Sequence, residues 1–264
     1  MALNKQSPIP LYYQLAELIR EQIQQGELQS GDQLPAERLL SEQHGISRMT
    51  TRQAITYLVR DGALVARHGL GTFVAEPKLT YDALHLLGFT EEIMRRGGKA
   101  ISRLLEQTVV PVPPHAAAEL RIAPGDAVVK IVRLRLSDAT PLLLETIFVP
   151  VAICPALQHE DMATRSLYGV LEQQCGLILK HARQTLEATV ANDYERQLFD
   201  IDPGTPMILL EGVTADDQNR PVEYFKAVYR GDRFKFAFES DRSVWMETLP
   251  GLPRVNIVLS SEGV

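Results

Sequence analysis

Residues 1–76 predict three short helices followed by a tight hairpin, an order that few folds share. Apolar residues at helical spacing over 11–23 predict the first helix, and 36–43 fits the second. Ser47 is placed to cap a third helix, and Gly62 is placed to end it. Two short runs of strand-forming residues then flank a glycine-containing turn. This order predicts a winged helix-turn-helix.

After residue 76 the pattern changes to longer alternating runs of apolar and polar residues. The clearest predicted strands are 127–136, 142–149, 184–191, 207–214 and 222–229, and helical patterns lie at 114–120, 166–174 and 193–199. Strands joined by short turns and covered by a few helices favour an antiparallel sheet. We therefore predict an α+β chain. Its parts are a winged helix-turn-helix domain over 1–76, a linker over 77–85, a sheet domain over 86–240 and a tail of unassigned role over 241–264.

Composition and charge exclude several classes of protein. The 264 residues carry 27 Lys and Arg against 33 Asp and Glu, a formal charge of −6, so the whole chain is not a polycation that coats nucleic acid. No apolar run approaches the ~20 residues needed to cross a bilayer. The first 25 residues lack the apolar region of a signal peptide. We expect a cytoplasmic protein with no membrane partner.

Motifs that would indicate catalysis or metal binding are missing from the sequence. There is no phosphate loop, zinc-ligand spacing or nucleophile elbow, so we predict no catalytic residue, no metal and no cofactor. Cys154 and Cys175 are too few for a disulfide scaffold and lack Cys-x-x-Cys spacing. We expect both to be reduced thiols, as is usual in a cytosolic protein.

Positive charge is concentrated in the third helix and the hairpin, where residues 46–71 contain four arginines and one aspartate. Arg48 and Arg52 lie one helical turn apart and project the same way. The first turns of a recognition helix enter the major groove, where arginine pairs with guanine; an ordinary solvated helix face is the alternative. We predict contacts to phosphate from the preceding helix and to the minor groove from the hairpin tip. The candidate DNA-contacting residues are Arg38, Ser47, Arg48, Thr50, Thr51, Arg52, His68 and Gly69.

Two arginines are predicted to share one face of a strand in the second domain. Arg133 and Arg135 are two residues apart, and side chains in a strand alternate between its faces. Adjacent arginines repel each other unless an anion joins them. A hairpin around 138–141 is expected to place Glu145 opposite residue 134 or 135. The alternatives are an exposed Arg–Glu pair, which stabilises little, or an anion site.

For other polar residues of this domain, the sequence also leaves open a structural role or a role in binding. Ser166 opens a predicted helix, where it is either a simple cap or part of an anion site with the free N–H groups of the helix start. Glu223 and Tyr229 share one face of the strand over 222–229. They lie either at the edge of the core or along a polar cavity.

The N-terminal motifs resemble those of the GntR family of bacterial transcriptional regulators. They are Pro10-Leu11-Tyr12-x-Gln14-Leu15, Gly26, Gly31-x-x-Leu34-Pro35-x-Glu37, Ser47-Arg48-x-Thr50-x-Arg52 and Gly69-x-Gly71-Thr72-Phe73-Val74. Two positions depart from the family pattern. Ala36 stands where serine is common, which is expected to remove one phosphate contact. Met49-Thr50-Thr51 replaces the Arg-x-Thr-Val pattern that is more usual in the family. This replacement is expected to change the preferred operator.

The second domain resembles UTRA, the effector-binding domain of the HutC-type branch of this family. The matching segments are Gly88-Phe89-Thr90-Glu91-Glu92-Ile93, Arg133-x-Arg135, Pro141-x-x-x-Glu145, Ser166-Leu167-Tyr168 and Pro221-Val222-Glu223-Tyr224. The resemblance implies a chorismate-lyase-like antiparallel sheet. It also implies that arginines and a helix start hold an anion, while glutamates take hydroxyls and aromatic rings form walls. The implied effector-binding residues are Phe89, Arg133, Arg135, Glu145, Ser166, Leu167, Tyr168, Glu223 and Tyr229.

Together these features predict a metabolite-responsive repressor. Its expected partners are double-stranded operator DNA, a small anionic metabolite such as a phosphosugar or small organic acid, and a second copy of the chain in a homodimer. Two other classes remain at this stage. One is a small-molecule enzyme of chorismate-lyase-like fold fused to a DNA-binding domain, and the other is a purely architectural DNA binder.

Overall fold

The computed structural model describes residues 3–67, 69–82, 88–95, 97–137 and 139–237. The chain divides into two compact units between Leu79 and Thr80, inside the segment predicted as a linker. The predicted tail over 241–264 lies outside the described residues, and the other domain limits stay predictions. In the part of the chain that is described, no helix is both long and apolar enough to span a membrane.

The N-terminal unit has the predicted order of elements. It contains α1 (Leu11–Gln24), α2 (Glu37–His44), α3 (Arg48–Asp61) and an antiparallel hairpin of β1 (Leu64–Arg67) and β2 (Gly71–Val74). One apolar core joins the helices to the hairpin, and Leu15, Leu40 and Leu58 belong to it. The winged helix-turn-helix is therefore confirmed.

Local sequence signals fix both ends of α3. The Ser47 side chain accepts a hydrogen bond from the Thr50 N–H at 3.0 Å, which satisfies a backbone donor that the helix itself leaves free. Gly62 follows the last turn with φ +79°, in the left-handed region that favours glycine. The first turn of α3 is therefore held in place by a cap.

The second unit is built on a six-stranded antiparallel sheet. In chain order it contains β3 (Leu79–Asp82), α4 (Phe89–Arg95), β4 (Ala100–Pro111), α5 (Pro114–Leu120), β5 (Ala127–Ser137), β6 (Thr140–Pro150), a 3-10 helix (Pro155–Gln158), α6 (Leu167–Gln173), β7 (Leu179–Val190), α7 (Asp193–Phe199), β8 (Pro206–Asp216), β9 (Pro221–Arg230) and β10 (Phe234–Ala237). The sheet order is β4-β5-β6-β9-β8-β7, and β3 pairs separately with β10. The predicted α+β class is confirmed.

Strand β4 was not among the strands predicted from the sequence. It lies at one edge of the sheet, and its register against β5 shifts between Leu104 and Glu106. Such a bulge inserts an extra residue and interrupts the two-residue period by which a strand is recognised. The pattern was therefore broken in the middle of the strand.

The predicted register of the β5–β6 hairpin is wrong by one or two residues. Ser137 pairs with Thr140, so the turn is shorter than the predicted 138–141 segment. The register also shifts between Arg135 and Leu136. Together these place Glu145 opposite Arg133 rather than opposite residue 134 or 135.

The expectation of two reduced thiols is also wrong, because Cys154 and Cys175 form a disulfide. Their Cα atoms lie 5.5 Å apart although the residues are 21 positions apart in the chain. Cys154 is fully buried in an apolar cluster with Met162 and Leu171, and Cys175 packs against that cluster. The bridge closes a loop that contains the 3-10 helix and α6.

Candidate functional site

The arginines predicted to contact DNA lie on the surface of the N-terminal unit. Arg48 is exposed, and the Arg52 side chain is 64% exposed while its Nε donates to Glu37 Oε1 at 3.2 Å. Arg38 is exposed and donates to Glu42 Oε1 at 2.7 Å. Exposed ion pairs of this kind contribute little to stability, so the guanidinium groups can exchange these partners for others.

The prediction that Thr51 contacts DNA is wrong. Its side chain is 0% exposed, and its hydroxyl donates to the Ser47 carbonyl at 3.3 Å. Residue 51 precedes Ala54 and Leu58 by three and seven positions, so it shares their buried helix face. Thr50 is only partly buried, and its hydroxyl lies 2.8 Å from Ser47 Oγ at the start of α3.

The predicted hairpin tip is in the expected place. Gly69 is exposed, has φ +73°, and has open space where a side chain would begin. A positive φ at this position favours glycine and allows close approach of the backbone to a partner. His68, the other candidate at the tip, lies outside the described residues.

A cavity of about 60 Å³ lies among β5, β6, β9 and the starts of α4 and α6. All nine residues proposed for effector binding line it. They are Phe89, Arg133, Arg135, Glu145, Ser166, Leu167, Tyr168, Glu223 and Tyr229. The fold thus brings together residues from five separate segments, while their role in binding stays a prediction.

At the centre of the cavity two arginines share one carboxylate oxygen. Glu145 Oε1 accepts from Arg133 Nε at 2.6 Å and from Arg135 Nη1 at 2.9 Å. Both arginine side chains are only 2% exposed, which excludes the exposed Arg–Glu pair considered above. Burial alone would raise the pKa of Glu145, but the two guanidinium groups outweigh it and lower this pKa. Glu145 is therefore ionised at neutral pH.

Further hydrogen bonds hold the two guanidinium groups in position. Arg133 Nη1 donates to the carbonyls of Met162 and Arg165, each at 3.3 Å. Arg135 Nη2 donates to Thr90 Oγ1 at 2.6 Å, and its guanidinium carbon lies 4.6 Å from the centre of the Phe89 ring. Arg135 Nε is buried and has no hydrogen-bond partner among the described residues. One donor of the arginine pair is thus left unsatisfied.

Glu223 is a second carboxyl group in the cavity, and it is buried, with 3% exposure. Its Oε1 accepts from Tyr168 Oη at 3.0 Å and from Thr214 Oγ1 at 2.9 Å. Its Oε2 is buried and unpaired within the part of the chain that is described. Burial raises the pKa of Glu223 to about 7, and the two hydroxyl donors only partly oppose this. Near neutrality Glu223 therefore exists in both protonated and ionised forms.

The raised pKa of Glu223 predicts a specific pH dependence of stability. The folded state holds this proton up to about pH 7, whereas an unfolded carboxyl loses it near its usual 4.5, so stability falls as the pH rises between these values. Glu223→Gln removes the effect and keeps an oxygen acceptor for Tyr168 and Thr214. Between pH 5 and 8 we expect wild type to lose about 3 kcal/mol of unfolding free energy relative to this variant.

Chemical denaturation at several pH values measures this difference. Glu172→Gln, at an exposed position on α6, controls for the loss of one negative charge. Parallel pH profiles for wild type and Glu223→Gln would contradict the prediction.

A carboxylate from α4 accepts a hydrogen bond from the residue that caps α6. Ser166 Oγ accepts from the Gly169 N–H at 3.2 Å and donates to Glu91 Oε1 at 3.1 Å. Ser166 therefore caps α6, which is the first of the two alternatives, and its role in binding an anion stays a prediction. The contact to Glu91 was not predicted, because the two residues are 75 positions apart in the chain.

Sequence reasoning missed several residues that line the cavity. Phe225 and Ala227 share the two-residue period of Glu223 and Tyr229, so this period could have identified them. Tyr81 from β3 and Gln184 from β7 also line it. Neither carries a local sequence signal, because only the tertiary fold brings β3 and β7 to the cavity.

Comparison with known proteins gives the same two-part organisation. Residues 11–74 match the family model described as bacterial regulatory proteins, gntR family, and residues 95–235 match the UTRA domain. The transcriptional repressor NagR of Bacillus subtilis is 38% identical over 242 residues, which cover 92% of this chain and 99% of NagR. The chain belongs to the GntR family.

Other relatives of the regulator share this organisation. MngR of Escherichia coli, a mannosyl-D-glycerate transport and metabolism system repressor, is 32% identical over 88% of this chain and 97% of its own. The crystal structure of PhnF from Mycobacterium smegmatis has a TM-score of 0.60 and 29% identity over 86% of this chain and 99% of that chain. The regulator is thus a DNA-binding transcription factor with an effector-binding UTRA domain. The enzyme alternative is not supported, because the family and these relatives are regulators.

Proposed function

We propose that the regulator is a cytoplasmic, homodimeric repressor that binds a palindromic operator. A small anionic metabolite, such as a phosphosugar or small organic acid, occupies the cavity of the UTRA domain and modulates operator binding. Repression is supported by the names of NagR and MngR, both of which are called repressors. DNA contacts are assigned to Arg38, Ser47, Arg48, Thr50, Arg52 and Gly69.

The buried arginine pair is the observation that carries the proposal for an anion. Arg133 and Arg135 share a single oxygen of Glu145, and Arg135 Nε has no partner among the described residues. When Glu223 is protonated, the two guanidinium groups exceed the one ionised carboxylate by one positive charge. An uncompensated buried charge is costly, so an anion that adds hydrogen bonds to this pair stabilises the domain.

The size of the cavity suggests how binding is linked to a change in structure. About 60 Å³ holds a few water molecules and is too small for a phosphosugar. Such a ligand therefore prefers a form in which the cavity is wider. A ligand shifts a conformational equilibrium only if it binds the two forms unequally, and a cavity that must widen meets this condition.

A thermal-shift screen combined with an operator titration tests the proposal. Purified protein is tested with phosphosugars, neutral sugars and small carboxylates. We expect an anionic compound to raise Tm with increasing dose and to change operator affinity at least about ten-fold, a coupling of roughly 1.4 kcal/mol. Arg183→Ala, which removes an exposed guanidinium on β7 of the same unit, should respond like wild type.

Two outcomes would contradict the proposal. One is equal stabilisation by a neutral sugar and its phosphate ester, which would exclude a role for the anion. The other is an operator affinity that no compound in the panel changes, which would favour a purely architectural or dimerising role for the second domain.

A further inference from the structure

Met49 is the most exposed large apolar side chain among the described residues, at 70% exposure. It is the second residue of α3, between Arg48 and Thr50. The buried face of α3, which includes Ala54 and Leu58, packs the core without it. The fold therefore does not require an apolar residue at this position.

The residues around Met49 favour a contact between this side chain and DNA. A groove beside α3 is lined by Tyr12 of α1 and by Thr50 and Tyr57. On the exposed face of α3 its lining consists of Met49, Arg52, Gln53, Thr56 and Arg60. These positions follow one another at helical spacing, so the exposed face continues for more than two turns beyond the start of the helix. The Ser47 cap holds the first turn, and with it the backbone of Met49, in a fixed position.

The chemistry of the major groove restricts what an apolar side chain can recognise there. Of the four bases, only thymine presents an apolar group, its 5-methyl, at the major-groove edge. A methionine is unbranched and polarisable, so it adapts its shape to such a methyl. Gln53, four residues later on the same face, carries an amide that fits adenine. Both side chains therefore suit A·T pairs, whereas Arg48 and Arg52 suit guanine.

We propose that Met49 is a specificity-determining residue that contacts the 5-methyl group of one thymine in each operator half-site. This inference rests on the DNA-binding function of the family and is independent of the effector proposal. It adds an apolar contact to the polar contacts that the sequence predicts for the same helix.

Replacement of thymine by deoxyuridine tests the contact, since deoxyuridine pairs identically and lacks only the methyl group. The operator of the full-length protein is first selected from randomised duplex DNA, and each thymine is then replaced in turn. We expect one replacement per half-site to weaken wild-type binding about four-fold, the equivalent of ~0.8 kcal/mol for one buried methyl. Met49→Ala should show no penalty at that thymine, and Met49→Leu should retain part of it.

Met94→Ala is the matched control, because Met94 is 65% exposed and lies in the other unit. This variant should show the wild-type penalty at every thymine. Equal penalties for wild type and Met49→Ala at all positions would overturn the proposal. Failure of wild type to select any duplex would instead contradict the DNA-binding function itself, so the two failures are distinguishable.

Discussion

Arg133→Ala should yield a regulator that binds its operator but no longer responds to the metabolite. The substitution removes one of the two guanidinium groups that the proposed anion would contact, and it lies in a different unit from α3. It also leaves the largely buried Glu145 carboxylate with Arg135 as its one remaining ion-pair partner among the described residues. Breaking a buried ion pair in this way costs about 3 kcal/mol or more, so the unfolding free energy should fall by that amount.

A second variant separates loss of stability from loss of binding. In Arg133→Ala combined with Glu145→Gln, the unpaired carboxylate is gone, so much of the lost stability should return while the response to the metabolite stays absent. Denaturant unfolding, ligand-induced shifts in Tm and operator titration measure the three properties. A folded Arg133→Ala protein that loses operator binding but keeps ligand affinity would contradict the assignment.

Arg52→Ala should have the opposite effect and weaken operator binding about 100-fold at fixed salt. An arginine–guanine contact contributes about 1–3 kcal/mol, and a homodimer loses two of them. The Arg52 side chain is largely exposed and, among the described residues, is bonded to the partly exposed Glu37 alone, so stability should change by less than about 0.5 kcal/mol. Ligand-induced shifts in Tm should match those of wild type.

Arg38→Ala provides an informative comparison for Arg52→Ala. A phosphate contact is independent of sequence, so its loss should weaken binding to all duplexes alike and reduce the salt dependence. Arg52→Ala should instead weaken discrimination between the operator and other duplexes. If Arg52→Ala lowers affinity equally for operator and random DNA, Arg52 does not read a base.

Local signals predicted the elements that depend on neighbouring residues. The cap at Ser47 marked the start of α3. At the start of α7, which the sequence predicts over 193–199, Asn192 and Glu195 form a capping box, with Asn192 Oδ1 accepting from the Glu195 N–H at 2.9 Å. In each case the donor and acceptor lie within three residues, so the sequence contains all of the relevant geometry.

Errors arose where the outcome depends on distant residues or on small local irregularities. The disulfide between Cys154 and Cys175 depends on the packing of the 3-10 helix and α6, which no spacing rule describes. The position of Glu145 depends on a register shift within the β5–β6 hairpin. Thr51 faces the core because its rotation about the helix axis is set by Ala54 and the residues after it. The nine predicted effector-binding residues nevertheless line one cavity. Strand periodicity identified the paired positions on β5 and β9, and the family motifs supplied the others.

The disulfide has a mechanical consequence for the cavity. The loop that it closes contains the Met162 and Arg165 carbonyls that hold Arg133, together with Ser166 and Tyr168 from the cavity lining. One wall of the cavity therefore belongs to a segment that the disulfide closes into a covalent ring. A ligand that widens the cavity, as proposed above, must deform this wall as a ring or shift it as a whole. Reduction of the disulfide to two thiols opens the ring, and the segment is then held only by its packing in the apolar cluster and by its hydrogen bonds.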